Sequence, residues 1–419
     1  MNVVDDTEIS GFKPFNSPVR WAVLAGVWLA YYCFGLTIVT LAPLVAEIST
    51  DLGLSRSQMG SVLGAWQLVY IGSAIPLGIF LDKVGVRRGI LFAFAMIAIS
   101  VVLRSQATDY ASLFLAVAMF GLGGPLVSVG APKTISLWFE GRGRGTAMGI
   151  YMTAPTLGSM TGLSLTNSLF MPIMDGDWRS VMLLYAVFIA AASLVWLLIT
   201  AHPDCKQVER DHAQTPRGSQ LENFKRLIRI PAFQIVLAMS IGIFFCNHGM
   251  NNWLPEMLRS KGFNAVDAGY MASIPVVFSV LSSLAIPRFA LPKRRIWILA
   301  VLFTGFGLSS LLLQAEQGPL LTSALVAQGL ARGSAMTLSI LVLLDIPGVG
   351  SERAGVAGGM FFSAAEFGGV GGPVSIGIVS DMTGDFSASL YMLTGMSVAL
   401  LVLLVALRIQ QSKLKPLID

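Results

Sequence analysis

The chain has 419 residues, 54% of them apolar and 12% charged, with a formal net charge of +5 and a mean hydropathy of +0.72. Soluble domains carry about 25% charged residues, so the composition points to a membrane protein, and the basic excess fits loops beside anionic lipid better than a nucleic-acid surface. Three cysteines do not make a disulfide framework; Cys33 and Cys246 fall in apolar runs and Cys205 in a polar loop.

The first nineteen residues are polar and carry Asp5, Asp6 and Glu8, without the basic n-region and small-residue cleavage site of a signal peptide. The first apolar run is therefore expected to stay as a membrane span. A span needs about 20 mostly apolar residues. Twelve such runs follow in order: 21–46, 58–81, 89–106, 110–138, 145–171, 179–200, 232–258, 266–288, 295–313, 318–344, 354–380 and 386–409. All are far longer than a barrel strand, which predicts helices throughout.

A polar stretch with Pro203, Pro216 and Pro231 divides the spans six and six. The expected organisation is an N-terminal six-helix bundle (1–201), a cytoplasmic linker (202–231) and a C-terminal six-helix bundle (232–419). Within the linker, Leu221, Phe224, Leu227 and Ile228 share one helical face, which suits either a helix lying on the lipid interface or one packed on the protein. With both termini in the cytoplasm, 21 of the 28 basic residues fall on the cytoplasmic side. Arg56, Arg104, Arg179, Arg259 and Lys261 are then expected on the opposite side, and Lys133 and Arg332 inside spans. That asymmetry sets the orientation.

The two halves repeat. Gly145, Gly149, Gly158 and Gly162 of span five recur as Gly355, Gly359, Gly368 and Gly372 of span eleven, each displaced by 210 residues. Glycine lets helix backbones approach closely in lipid, so the same helix is expected to pack the same way in each half, giving a parallel pair of six-span units.

Residues 78–89 read GIFLDKVGVRRG and lie in the turn between spans two and three. Gly78, Asp82, Lys83, Gly85, Arg87 and Arg88 match the spacing of the signature of the major facilitator superfamily, which the whole twelve-span chain resembles. The matching stretch of the second half, PRFALPKRR (287–295), keeps Lys293, Arg294 and Arg295 but has Leu291 in place of the acid. The resemblance implies that Asp82 sits against the cytoplasmic start of span eleven, near Glu352 and Arg353, where a helix N-terminus favours a carboxylate. Lys83, Arg87 and Arg88 would grip neighbouring acids and lipid phosphates. Such a latch breaks when the cytoplasmic side opens.

APKTISLWFEGRGRGTAMGIYM (131–152) is similar to the turn between spans four and five of superfamily members that carry small organic or inorganic anions. Ala154-Pro155-x-x-Gly158 is close to a signature of drug and proton antiporters. Val117 and Phe34 stand where organophosphate exchangers and related members have arginines.

An ionisable side chain at mid-membrane costs about 2.5–3.5 kcal/mol on insertion scales and is a functional candidate by default. Arg332 in span ten and Glu366 in span eleven lie at similar depth. The matching positions of the first half are Gly124 and Thr156, so the fold does not demand these charges. Arg332 is expected to attract an anion with its fork of donors. Glu366 is expected to be its counter-ion when empty or a proton carrier; a static pair is the structural alternative. Span seven carries Asn247, His248 and Asn251 over two helical turns, with Asn247 and Asn251 at i and i+4. These could bind an oxygen-rich ligand, and His248 could relay a proton; interhelical hydrogen bonding would use the same groups. Tyr31, Tyr32, Gln67 and Tyr70 could line the first-half wall. Lys133, near the inner end of span four, could snorkel to the interface or hold the anion on its inward route.

No nucleophile, metal or phosphate-loop constellation is present in the sequence, which argues against an enzyme, a cofactor or ATP drive. The expected protein is an all-α, multi-pass transporter of a bacterial or archaeal cytoplasmic membrane, working as a monomer among lipids. It would move a small anion by proton symport or exchange, by alternating access, with spans one, two, four, five, seven, eight, ten and eleven around the route as the resemblance implies. A proton-driven drug or metabolite exporter and a transporter-like sensor without flux are the other readings.

Overall fold

The structure, a computed structural model, describes residues 14–212 and 220–414. Twelve long helices run through the described residues, and there is no strand among them. Span one is Val19–Val39, broken at the turn Ala42–Leu44 and resumed as Val45–Leu52. Spans two to six are Arg56–Val84, Val86–Ser105, Tyr110–Trp138, Gly141–Leu165 and Trp178–Thr200. Spans seven to twelve are Pro231–Arg259, Ala265–Ala285, Arg295–Leu312, Pro319–Leu344, Gly350–Thr383 and Ser387–Leu414. Ten are apolar and long enough to cross a bilayer on those criteria alone, or eleven with the bent span two. Span five, which opens Gly-Arg-Gly-Arg, falls short on polarity.

An even number of spans leaves both ends of the chain on one side, here called the terminal side. Four of the helices that begin on the opposite, far side are capped by side chains: Ser55 with Gln58, Asp109 with Ser112, Asp177 on Arg179 and Ser180, and Asn264 on Asp267. Such caps satisfy amide hydrogens that have no partner within the helix. The terminal-side turn between spans two and three is instead a single residue, Gly85, at φ +85°. Only glycine adopts that backbone at little cost.

The linker supplies two helices, Pro203–His212 and Gln220–Leu227. In the second, Leu227 is fully buried in the core of the second half, whereas Phe224 and Ile228 are exposed. The helix therefore divides its apolar face between protein and surroundings. Leu221 lies outside the residues whose side chains are described.

Internal symmetry shows in how spans five and eleven pack. A Cβ at Gly158 would collide with the backbone of Tyr32 and Leu36 in span one, and one at Gly368 with the backbone of Ile241 and Phe245 in span seven. Each partner pair is one helical turn apart. Gly162 and Gly372 repeat the arrangement on Val39 and Leu36 and on Phe245 and Gly249. Close backbone approach is what holds helices together in lipid, where apolar burial gives little preference for protein over acyl chains.

The halves meet on the far side. Arg259 donates to both carboxylate oxygens of Glu47, at 2.8 and 2.9 Å. Asp381 of span eleven accepts the amide hydrogens of Arg56 (3.0 Å) and Ser57 (2.7 Å), so an acid of one half caps a helix of the other. The Ser164 and Ser273 hydroxyls lie 2.6 Å apart, and Asn167 donates to the Ala265 carbonyl at 3.3 Å. One buried apolar cluster accordingly contains the first half together with far-side residues of the second, such as Trp253, Leu258 and Phe386.

On the terminal side the same helical faces are open. Gly145 lies five whole turns before Leu163, whose carbonyl touches Gly269 of span eight. Gly355 and Gly359 lie five turns before Pro373 and Gly377, which touch Gly60 and Arg56 of span two. Yet a Cβ at Gly145, Gly149, Gly355 or Gly359 would meet nothing within 4 Å. The two halves splay apart towards the chain termini.

Arg104 corrects the sequence reading. Its expected place is among polar residues of the side opposite the cytoplasm; it is 1% exposed, inside the protein. Its guanidinium donates to the Thr37 carbonyl (3.2 Å) and the Thr40 hydroxyl (2.8 Å), where span one breaks. A broken helix leaves carbonyls unpaired, and a cation at a helix C-terminus satisfies them and matches its dipole.

A leucine at position 359 tests whether the open faces close during function. Gly359→Leu should leave the present conformation and its thermal stability unchanged. It should overpack a state closed on the terminal side by ~1–3 kcal/mol, shifting the conformational ratio by about five- to about 150-fold. Cysteine labelling of terminal-side positions would then stay high while transport falls.

Candidate functional site

Span seven places Asn247 and Asn251 on one face, and both amide oxygens meet Arg332 of span ten. Arg332 Nε donates to Asn247 Oδ1 at 2.7 Å, and its Nη2 donates to Asn251 Oδ1 and to the Asn247 carbonyl at 3.3 Å. Among the described residues no carboxylate forms an ion pair with Arg332. The expected pairing with Glu366 is thus replaced by neutral amide oxygens, which orient the guanidinium without neutralising it.

His248, between the two asparagines, turns to the first half. Its Nδ1 lies 3.2 Å from the amide nitrogen of Gln67 in span two. With the amide donating, the imidazole carries its own hydrogen on Nε2. Trp66 and Phe244 flank the ring at centroid distances of 5.7 and 5.3 Å. Glu366 is 5% exposed and Gln67 fully buried, and Glu366 Oε2 and Gln67 Oε1 have no hydrogen-bond partner among the described residues. They belong to one cluster: an added Cβ on Gly369 would lie 2.5 Å from Glu366 Oε2, 3.1 Å from Gln67 Cγ and 3.4 Å from His248 Cδ2. Gln67, His248 and Glu366 therefore bridge spans two, seven and eleven across the boundary between halves.

The four first-half candidates separate. Tyr70 places its hydroxyl 2.9 Å from Ser128 and its ring 6.1 Å from Trp66. Tyr31 packs edge-on to Tyr151 at 5.4 Å and beside Phe34 at 5.8 Å. Tyr32 turns elsewhere: it donates to Thr161 at 2.8 Å and packs on Trp28 and on Phe188, itself exposed. Its neighbours make it a brace between spans one and five, away from Arg332.

In the 78–89 turn, Asp82 sits 2.5 Å from Nζ of Lys133 in span four, within its own half. Lys133, expected either to snorkel to the interface or to hold the anion on its inward route, is engaged with the signature acid. Two further contacts brace the turn. Trp196 of span six donates to the Arg87 carbonyl at 3.0 Å. Glu209 of the linker lies over Gly85, where any side chain would strike its carboxylate. Burial pushes the Glu209 carboxyl above its ordinary range, and Arg87 and Arg88 oppose that shift. Lys83 and Arg88 are exposed, and Gly78 faces open space. Arg353 donates to the Gly348 carbonyl at 2.6 Å, in the turn before span eleven. The side chain of Glu352, the other half of the expected latch, lies outside the described ones.

Several contributors escape a reading of the sequence: Arg104 at the break in span one, Glu47 and Arg259, Asp381 as a cap, and Glu209 over the turn. Arg104 stands out as a charge at the edge of an apolar run, but that its side chain turns into the protein is not visible there. The partners of the others lie more than a hundred positions away in the chain, beyond local pattern.

Twelve helices in two alike, splayed halves, with a cation in the second half that no carboxylate among the described residues neutralises, are the architecture of a secondary transporter. Residues 27–373 match the family model described as Major Facilitator Superfamily, and the chain belongs to that superfamily. Family membership makes it a transporter rather than an enzyme. Among its relatives, the probable galactarate/D-glucarate transporter GudP of Escherichia coli (strain K12) is 23% identical, over 91% of this chain and 93% of that protein. The quinolone resistance transporter of Acinetobacter baumannii is 24% identical, over 83% and 84%. The crystal structure of the nucleoside transporter NupG superposes with a TM-score of 0.71 at 16% identity, covering 93% of this chain and 99% of the other. That likeness bears on the fold alone.

The Asp82–Lys133 pair predicts charge complementation. Removing either charge from this half-buried pair should cost ~1–3 kcal/mol, between exposed and fully buried pairs. Asp82→Asn and Lys133→Met should each lower the thermal unfolding midpoint, and the exchange Asp82→Lys with Lys133→Asp should recover much of it.

Proposed function

We propose that the protein carries a small anion across the membrane by alternating access, with Arg332 as the group that receives it. The observation that carries this reading is the guanidinium itself: half-buried, fixed by Asn247 and Asn251, and without a carboxylate partner among the described residues. An isolated buried charge is costly. An arriving anion lowers that cost, and the amide oxygens already hold the fork in place for it.

The distribution of basic residues puts the terminal side in the cytoplasm, and the burial of Arg104 sharpens the asymmetry by removing one cation from the opposite side. The present conformation is then inward-facing, closed outside by Glu47–Arg259 and the Asp381 cap. Residues 1–201 and 232–419 are taken to move as two units joined by 202–231, and the Asp82 turn to meet the start of span eleven when the cytoplasmic side closes. Breaking the outer contacts and forming the inner ones exchanges the two states.

Glu366 supplies the coupling to protons in this reading. Its Oε2 has no hydrogen-bond partner among the described residues, which leaves that oxygen available to a proton. Gln67, His248 and Tyr70 surround it, so gain or loss of its proton changes a contact between the halves. The Ala154-Pro155-x-x-Gly158 segment offers the exporter reading little, because Pro155 and Gly158 pack on Gly35 and Tyr32 of span one.

Two measurements check this. Arg332→Gln, in purified protein reconstituted in liposomes, should abolish anion counterflow and anion-induced thermal stabilisation together; uptake at the parent rate would refute the assignment. Glu366→Gln should keep counterflow but lose accumulation driven by a pH gradient, since the amide keeps the shape and cannot exchange a proton. Accumulation equal to the parent would remove Glu366 from the coupling.

A further inference from the structure

The two sides of the central region differ in chemistry. Arg332 with its asparagines stands in the second half. Its matching position in the first half, Gly124, has the rings of Tyr70 and Phe34 only 3.0 and 3.3 Å from where a Cβ would be. Aromatic carbon fills the place that the guanidinium holds on the other side.

Those rings belong to a continuous series. From His248, next to Asn247, it runs to Trp66 (5.7 Å), Phe34 (6.0 Å), Tyr31 (5.8 Å) and Tyr151 (5.4 Å). Spans one, two, four and five contribute no charged residue across their central portions, from 21 to 46, 57 to 81, 110 to 132 and 145 to 171. Lys133, which follows the central portion of span four, is paired with Asp82. The hydroxyls of Tyr31 and Tyr151 make no hydrogen bond among the described residues, whereas those of Tyr32 and Tyr70 do.

We propose that the cargo is an aryl monocarboxylate: one anionic group for Arg332 and a flat apolar body for the Tyr31–Phe34–Trp66 rings, with the Tyr31 and Tyr151 hydroxyls available to a polar ring substituent. This rests on the reading that Arg332 receives an anion, and narrows it. Ring faces and edges gain from stacking and edge-to-face contact with another ring. A polyhydroxylated acid would bring several hydroxyls to a wall that satisfies few of them, each at a desolvation cost. A second carboxylate would find no charged residue in the central portions of spans one, two, four and five. A bare inorganic anion would leave the rings without a role.

The test is equilibrium binding to the full-length protein in nanodiscs, with benzoate, galactarate and nitrate as probes. Benzoate should bind about tenfold or more tighter than either of the others, the scale of an aromatic contact plus its buried area. Tyr31→Ala should lower the benzoate-to-nitrate preference by a similar factor, and Tyr31→Phe should restore it. Tyr31→Leu serves if the alanine variant is not monodisperse. Tighter binding of galactarate or nitrate, still lost in Arg332→Gln, would overturn the aryl assignment and leave the anion reading standing. Failure of all three to show Arg332-dependent binding would overturn both.

Discussion

A positive charge that cannot leave and is not neutralised sets the terms for this molecule. Arginine keeps its proton in essentially any protein environment, and Arg332 sits deep in a chain that has few charges to offset it. The fold answers with oxygen dipoles from span seven, one helical turn apart. They fix the direction of the guanidinium and leave its charge to be met by something else. The asymmetry of the two halves follows from this. The second half concentrates polar and ionisable groups on spans seven, ten and eleven, and the first half presents rings and glycine.

The same economy of charge governs the moving parts. Contacts between the halves on the far side include an ion pair and a cap on a helix end: Glu47 with Arg259, and Asp381 with the start of span two. Such contacts are local, strong at short range and readily replaced by water, which suits an interface that must open and close. Within a half, close backbone approach and a buried cation add to these. Gly158 on span one and Gly368 on span seven place backbone on backbone, and Arg104 ties the broken end of span one to span three. In the proposed alternating-access cycle these contacts would persist while the bundle moves as a unit. Proline-bearing and broken helices are tolerated because neighbouring spans satisfy the freed backbone groups.

The sequence conveyed the fold well, for physical reasons. Membrane thickness imposes a length on every apolar run, and the expected bounds of span four, 110 and 138, are the residues where the helix begins and ends. The glycine repeat also reported a real packing relation, since nothing but glycine allows that approach. Polar contacts were far less legible. Arg332 and Glu366 stand out as costly charges, but depth alone does not fix azimuth, and the two side chains belong to separate groups. Lys133 and Asp82 each draw notice without being joined, because 51 positions separate them. An arginine at the edge of an apolar run, as Arg104 is, reads as an anchor outside the protein, whereas a break in the neighbouring helix draws it inside. Which glycines lie against a neighbour and which face open space depends on conformational state, which a sequence does not carry.

The most direct test is a structure of the protein saturated with a bromine-substituted aryl carboxylate, with the heavy atom marking the orientation of the ligand. The account predicts the carboxylate within hydrogen-bond distance of the Arg332 guanidinium and the bromine towards the rings of Tyr31 and Phe34. A ligand bound elsewhere, with Arg332 still engaged only by Asn247 and Asn251, would contradict it.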